Sequence, residues 1–380
     1  MTNLHFDAEG KFRILTFSDI HAKDEVDTKS ISLIKAAINL SKPHLIVLLG
    51  DQLGYLHNVN NDIQNSIANF MAPITASGIP FALVFGNHDP GVGMSLEDQM
   101  KIYQSYPNCL AENGPEEISG CGNYNLLIKD SKQEKTIFNI WFADSGSSDS
   151  EYIKPDQVEW YNQKTKKLSE ELNEGKPIKS IWFQHRAVEE IYQLFDKNDF
   201  PIHTTSISKG YEYGYFLSEK PDIHFDPTGV FLEGPDIIYF EEKKSHLYSK
   251  WVENNDVICA CFGHNHGNSF LGYTKDGIGL GFDSTAGWLV TYSFPGLDRG
   301  ARLFEINEKD TSTFYTQMLY YGQIVPDAKI DLLTRMITYG NLQNAFIFLR
   351  STLIPRPLQK YIGKKILEKL KNRLCPEHLR

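Results

Sequence analysis

LIVLLGDQLG, residues 45–54, decides the fold. Five consecutive apolar residues are too few to cross a bilayer and show no helical or alternating pattern. A run of this length reads as a strand buried on both faces, the kind found in parallel, helix-covered sheets. It stops at Gly50-Asp51, so a turn residue and a carboxylate follow the strand directly.

Four other stretches repeat this design. Residues 13–18 (RILTFS) lead to Asp19, 81–85 (FALVF) to Gly86-Asn87, 180–184 (SIWFQ) to His185, and 257–262 (VICACF) to Gly263-His264. Between them lie stretches with helical spacing of apolar residues. These are 30–40, 61–71 (followed by Pro73, Gly78 and Pro80) and 155–172, with Pro at its start and Gly175 beyond its end. Strand–helix–strand alternation of this kind predicts an α/β layered fold. Residues 302–306 and 313–319 read as later strands. Residues 196–245, rich in Gly, Pro, Tyr and Asp, read as an irregular insertion near the site. Tyr211, Tyr213, Tyr215 and Arg186 are the expected pocket contacts there.

With 380 residues, 41% hydrophobic and 23% charged, the chain is in the globular range. The net charge of −10 is unevenly distributed. Residues 329–380 hold 11 Lys/Arg against 3 Asp/Glu, so the remainder carries −18. An acidic body argues against nucleic acid as a partner. The N-terminus has no basic segment followed by an apolar one, and no apolar run is long enough for a transmembrane segment. An odd number of cysteines, five, gives no disulfide framework. Together these features lead to an expected cytoplasmic location. Cys259 and Cys261 point to the same side of one strand and read as core filling.

Metal-capable residues therefore follow five predicted strands: Asp19 and His21 (D-x-H), Asp51 (GD), Asn87, His88 and Asp89 (GNHD), His185, and His264 and His266 (GHNH). In an open α/β sheet the crevice beyond the strands' carboxyl ends is where ligands bind, so these ends can converge on one point. Carboxylate, imidazole and amide oxygen suit Fe, Mn, Zn or similar ions rather than soft-ligand sites.

The ordered set D-x-H, GD, GNHD, H, GHxH resembles the signature of the calcineurin-like metallophosphoesterases, over roughly residues 12 to 306. Within them it is most similar to the purple-acid-phosphatase-related branch with D-x-H, an impression strengthened by Arg299-Gly300-Ala301-Arg302. The resemblance implies two mixed β-sheets sandwiched together and flanked by helices. It implies a first metal on Asp19, His21 and His266, a second on Asn87, His185 and His264, and Asp51 bridging them. His88 would face the substrate and Asp89 would orient His88. The implied activity is phosphate-ester hydrolysis by a hydroxide bound to two divalent or mixed-valence ions. A phosphomonoesterase is the expected form, with a phosphodiesterase on the same site as the alternative, and a non-catalytic metal-bound protein-binding scaffold as the reading from another class. The resemblance departs at Gly54, where purple acid phosphatases carry a tyrosine that colours a ferric ion; Tyr55 comes one residue too late.

The expected domains are 1–322, the metallophosphoesterase unit, and 323–380, a basic C-terminal helical extension. Within the extension, LQKYIGKKILEKLKNRL (358–374) sets apolar residues on one face and lysines on the other. That composition permits contact with a membrane surface or a protein.

Overall fold

In the computed structural model, described residues are 3–54, 62–147, 152–202, 214–219, 223–226, 228, 245–288, 299–326 and 328, with backbone alone for 195–202 and 214–219. The first half of the chain alternates strand and helix: β1 (Lys11–Phe17), α1 (Thr28–Ser41), β2 (Leu45–Leu49), α2 (Ile63–Ser77) and β3 (Phe81–Val84). Asp27 caps α1 by accepting the Lys29 and Ser30 N–H groups, three residues ahead of the serine start read from sequence. The second helix runs through Pro73 and stops only at Gly78, which takes a left-handed conformation as C-cap.

Next come α3 (Leu96–Gln104), the hairpin β4 (Tyr124–Lys129) and β5 (Thr136–Phe142), α4 (Pro155–Leu172) and β6 (Ser180–Phe183). Part of the 196–245 stretch forms a ribbon, β7 (Phe195–Ile202) against β8 (Gly214–Glu219), where an irregular segment was expected. Pro201 and the charged residues of 195–202 hide this strand from any apolar pattern. After it lie α5 (Leu247–Asn254), β9 (Val257–Phe262), β10 (Leu271–Tyr273), β11 (Gly279–Phe282), β12 (Gly300–Asn307) and β13 (Asp310–Tyr320).

The strands make two mixed sheets, ordered β13-β12-β1-β2-β3 and β10-β11-β9-β6-β5-β4. In the first, β1, β2 and β3 are parallel and β12 joins β1 antiparallel. In the second, β5, β6, β9 and β11 are parallel. Strand alternation sorts the second sheet's side chains between two layers. Ile140, Phe142, Ile181, Phe183, Cys259 and Cys261 face the core shared with the first sheet. Trp141, Trp182, Ala260 and Phe262 face the opposite side, under Tyr161 of α4 and Trp251 of α5. The ring centroids of Phe183 and Phe304 lie 6.1 Å apart across the sandwich. Both cysteines are fully buried, as core filling requires.

This packing brings the carboxyl ends of β1, β2, β3, β6 and β9 to one edge, where the two sheets meet. The backbone ties that edge together: the Asp19 N–H donates to Gly50 O at 3.1 Å and the Gly263 N–H donates to His185 O at 2.9 Å. Among the described residues, no helix is long and apolar enough to cross a membrane. The basic C-terminal extension from residue 329, Tyr55, Tyr211 and Tyr213 fall outside the described residues, as does the side chain of Tyr215.

Candidate metal centre

All seven residues singled out as metal ligands meet at this edge. Ligand atoms of Asp19, His21, Asp51 and His266 lie within 4.8 Å of one another, as do those of Asp51, His185 and His264. Asn87 joins the second group, its Oδ1 lying 3.1 Å from His185 Nε2. Asp51 alone belongs to both groups. Its Oδ2 lies 3.3 Å from His185 Nε2 and 3.7 Å from His21 Nε2.

The turns that present these side chains are conformationally unusual. Asp19, His21, Asp51 and His264 have φ of 51°, 49°, 50° and 71°, the left-handed region that non-glycine residues avoid. Each such residue costs about 1–3 kcal/mol and persists where surrounding contacts over-determine it. Two motif glycines are explained by close approach. A Cβ on Gly50, itself at φ 88°, would sit 2.3 Å from His185 Nδ1. A Cβ on Gly86 would sit 2.2 Å from Asp51 Oδ1.

Neighbouring groups fix the ligands' orientation. His185 Nδ1 bonds Leu49 O at 2.9 Å, which directs Nε2 at the centre. Asp19 Oδ2 accepts the His264 N–H at 3.0 Å and the Ser18 hydroxyl, leaving Oδ1 facing His266 Nε2 at 3.1 Å. Ser18 carries no sequence signal for this role, since a serine at a strand end is common. Asp89, expected to orient His88, engages the ligand-bearing turns instead. Its Oδ2 accepts from Gly86 N at 2.7 Å and Asp51 N at 3.0 Å, and its Oδ1 accepts from Leu53 N at 2.9 Å. Arg186 is buried and lines a neighbouring cleft with Ser145, Tyr152 and His246.

Burial and mutual charge interactions set the electrostatics of these groups. Burial opposes ionisation of Asp19 and Asp51, yet the surrounding histidines hold both carboxyls well below the usual range. Burial pushes His264 down to about 3, with His185 and Arg186 adding to the effect. Burial also pulls His185 down, but Asp51 more than offsets it and raises this imidazole to about 9. Burial and the adjacent Asp51 carboxylate push Asp89 up to about 8, against N–H donors that favour its anion.

Two atoms test whether cations fit. Asp19 Oδ1 and Asp51 Oδ2 are buried and accept no well-aligned hydrogen bond, with the His266 imidazole 3.1 Å from the first and the His185 imidazole 3.3 Å from the second. Leaving a buried carboxylate oxygen unsatisfied is costly. In addition, His21 Nε2 and His266 Nε2 approach to 3.1 Å, a spacing at which both lone pairs can face one ion. The donor set of carboxylates, imidazoles and one amide oxygen therefore fits a pair of borderline cations.

The family model described as calcineurin-like phosphoesterase matches residues 12–268, the span from β1 through the GHNH turn. The chain belongs to the calcineurin-like phosphoesterases. Among curated relatives of this family, it is 28% identical over 344 residues to "Probable inactive purple acid phosphatase 29" of Arabidopsis thaliana, covering 80% of each chain. It is 27% identical over 157 residues to "Phosphatase DCR2" of Saccharomyces cerevisiae, covering 36% of this chain and 27% of that one. Among solved structures, a dimetal phosphatase from Danio rerio aligns with a TM-score of 0.49 and 12% identity, covering 81% of this chain and 98% of that one.

Proposed function

We propose that this phosphoesterase hydrolyses phosphate monoesters at a dinuclear centre held by Asp19, His21 and His266 on one side, Asn87, His185 and His264 on the other, with Asp51 between them. The observation that carries this reading is the position of Asp51. Its Oδ2 is shared by two clusters of metal-capable groups, and one carboxylate between two dications would reduce their mutual repulsion. Two cations there, Fe, Mn or Zn, would polarise the phosphoryl group and acidify a water nucleophile.

The protein's own contribution beyond the ligands centres on His88. It is half-buried at the rim, its backbone N–H donates to Asp51 Oδ1 at 2.7 Å and its Nε2 lies 3.8 Å from Asp51 Oδ2. Burial lowers its proton affinity to about 4, so the ring is neutral near pH 7. His88 is thus suited to donate an N–H to a phosphoryl or leaving-group oxygen rather than to carry a full proton charge.

Relatives named as phosphatases support a monoester over a diester substrate. The word "inactive" in the name of one of them favours a second reading, a metal-bound scaffold that recognises a protein. Against it, every position of the ligand pattern is filled here, and His88 is present. Metal-loaded protein assayed with an aryl phosphate and a bis-aryl phosphodiester separates these readings. Turnover of the monoester, abolished in Asp51→Ala and Asn87→Ala, is expected. Full metal occupancy with no turnover of either ester supports the scaffold and overturns the hydrolase.

A further inference from the structure

Arg302, on β12, is fully buried between the sheets and makes contact with three separate parts of the chain. Its Nη2 donates to Ser269 O, three residues past His266 in the turn that carries His264 and His266. Its Nη1 pairs with Asp226 Oδ2 at 2.8 Å and bonds Thr316 Oγ1 of β13 at 3.0 Å. Asp226 belongs to the stretch 196–245, whose role the sequence leaves open.

The Asp226 segment is itself fastened to β10, the strand that follows this turn. Asp226 N donates to Leu271 O at 2.8 Å, and the Thr228 hydroxyl donates to the Asp226 carboxylate at 2.8–2.9 Å. Tyr320 OH donates to Thr228 O at 2.8 Å and lies 2.7 Å from Ser269 Oγ. The Phe225 ring fills the space where a side chain on Gly272 would lie, 2.7 Å from its Cβ position. A buried ion pair is weak evidence for stability alone, since desolvation offsets its attraction, but it fixes geometry sharply. Here it fixes the far end of the turn holding two metal-capable histidines against β12, which pairs with β1, the strand leading to Asp19 and His21.

We propose that the Asp226–Arg302 ion pair is a positioning element that sets the His264/His266 turn against the metal-capable residues of the first sheet, so that Asp226 governs cation affinity without touching the cations. The inference rests on the two-cation reading of the centre.

The test is titration of the chelator-stripped full chain with Co²⁺, followed by its visible d–d spectrum, alongside unfolding of the metal-free protein. Asp226→Asn keeps shape and one acceptor but removes the charge. It is expected to weaken Co²⁺ binding by about 10–100-fold and to alter the spectral envelope, the effect of losing an outer support of metal ligands. Arg302→Lys, which keeps the charge without the fork, is expected to fall between Asp226→Asn and wild type. Thr316→Ala removes the Arg302 partner that lies away from the turn and is expected to bind Co²⁺ as wild type does. Should Asp226→Asn not fold, Thr228→Val, which removes the hydroxyl that holds that carboxylate and accepts the Met318 N–H, is expected to weaken Co²⁺ binding in the same direction. Wild-type Co²⁺ affinity and spectrum in Asp226→Asn or Thr228→Val, with or without a loss of stability, overturns the proposal and leaves the metal reading standing. Failure of the wild-type chain to take up Co²⁺ overturns both.

Discussion

His88 is tied to Asp51 through its backbone. The His88 backbone N–H donates to Asp51 Oδ1 at 2.7 Å, and its ring Nε2 lies 3.8 Å from Asp51 Oδ2. The residue expected to meet substrate is thereby held by the carboxylate that links the two ligand clusters. His88→Ala is expected to lower kcat about 10²-fold or more while leaving bound metal unchanged. His88→Asn, which retains an N–H donor, is expected to recover part of that loss. Steady-state kinetics with metal analysis on the same samples checks both; loss of metal in His88→Ala would make it a ligand instead.

Gly86 is closed to any side chain, because a Cβ there meets Asp51 Oδ1 at 2.2 Å and Asp51 N at 2.3 Å. Neither neighbour is the free end of a flexible chain. Gly86→Ala is expected to cost about 1–3 kcal/mol of stability through overpacking, and to remove the proposed phosphoesterase activity by displacing Asp51. Urea unfolding read beside the aryl phosphate assay measures the two effects. An alanine variant of native stability and activity would contradict this geometry.

Asp283 predicts a pH dependence of folding. Its side chain is fully buried beside Thr16, which donates to Oδ2 at 2.5 Å, and its Oδ1 has no partner. Burial pushes its carboxyl up from 3.8 to about 7. The folded state therefore binds the proton more tightly than the unfolded state. This group's contribution to stability is fully present below about pH 4 and is lost as pH rises towards 7. Asp283→Asn removes that loss. The stability of Asp283→Asn minus wild type, in metal-free protein, is expected to grow by on the order of 1–3 kcal/mol between pH 5 and pH 7.5. A difference that does not change with pH would show that the carboxyl is not perturbed.

Colour provides a separate check. Gly54 occupies the place where purple acid phosphatases bear their iron-binding tyrosine. Iron-loaded protein is expected to lack an intense tyrosinate charge-transfer band in the visible spectrum. A strong band that disappears in Tyr55→Phe would overturn this.

Much of the site was legible because its strands are buried on both faces. Leu45–Leu49 and Val257–Phe262 match their apolar runs residue for residue, and each ends on the polar residues that reach the centre. The β4–β5 hairpin shows no such signal: β4 lies at a sheet edge with four of its six residues only partly buried. The seven metal-capable residues that meet at the centre are legible in sequence because each is local to one strand end. The backbone partners of Asp89 come from separate turns, and sequence does not record backbone donors. Arg302 and Asp226 are 76 residues apart in sequence, so no local spacing announces their pairing.

The most direct test of the account is a Mn²⁺ titration of the stripped chain followed by low-temperature electron paramagnetic resonance. Wild-type protein is expected to take up two ions per chain and to show the spectrum of an exchange-coupled pair, with Asp51→Ala losing that coupling. Uptake of a single ion, or two ions giving only isolated-ion spectra, would contradict a centre bridged by Asp51.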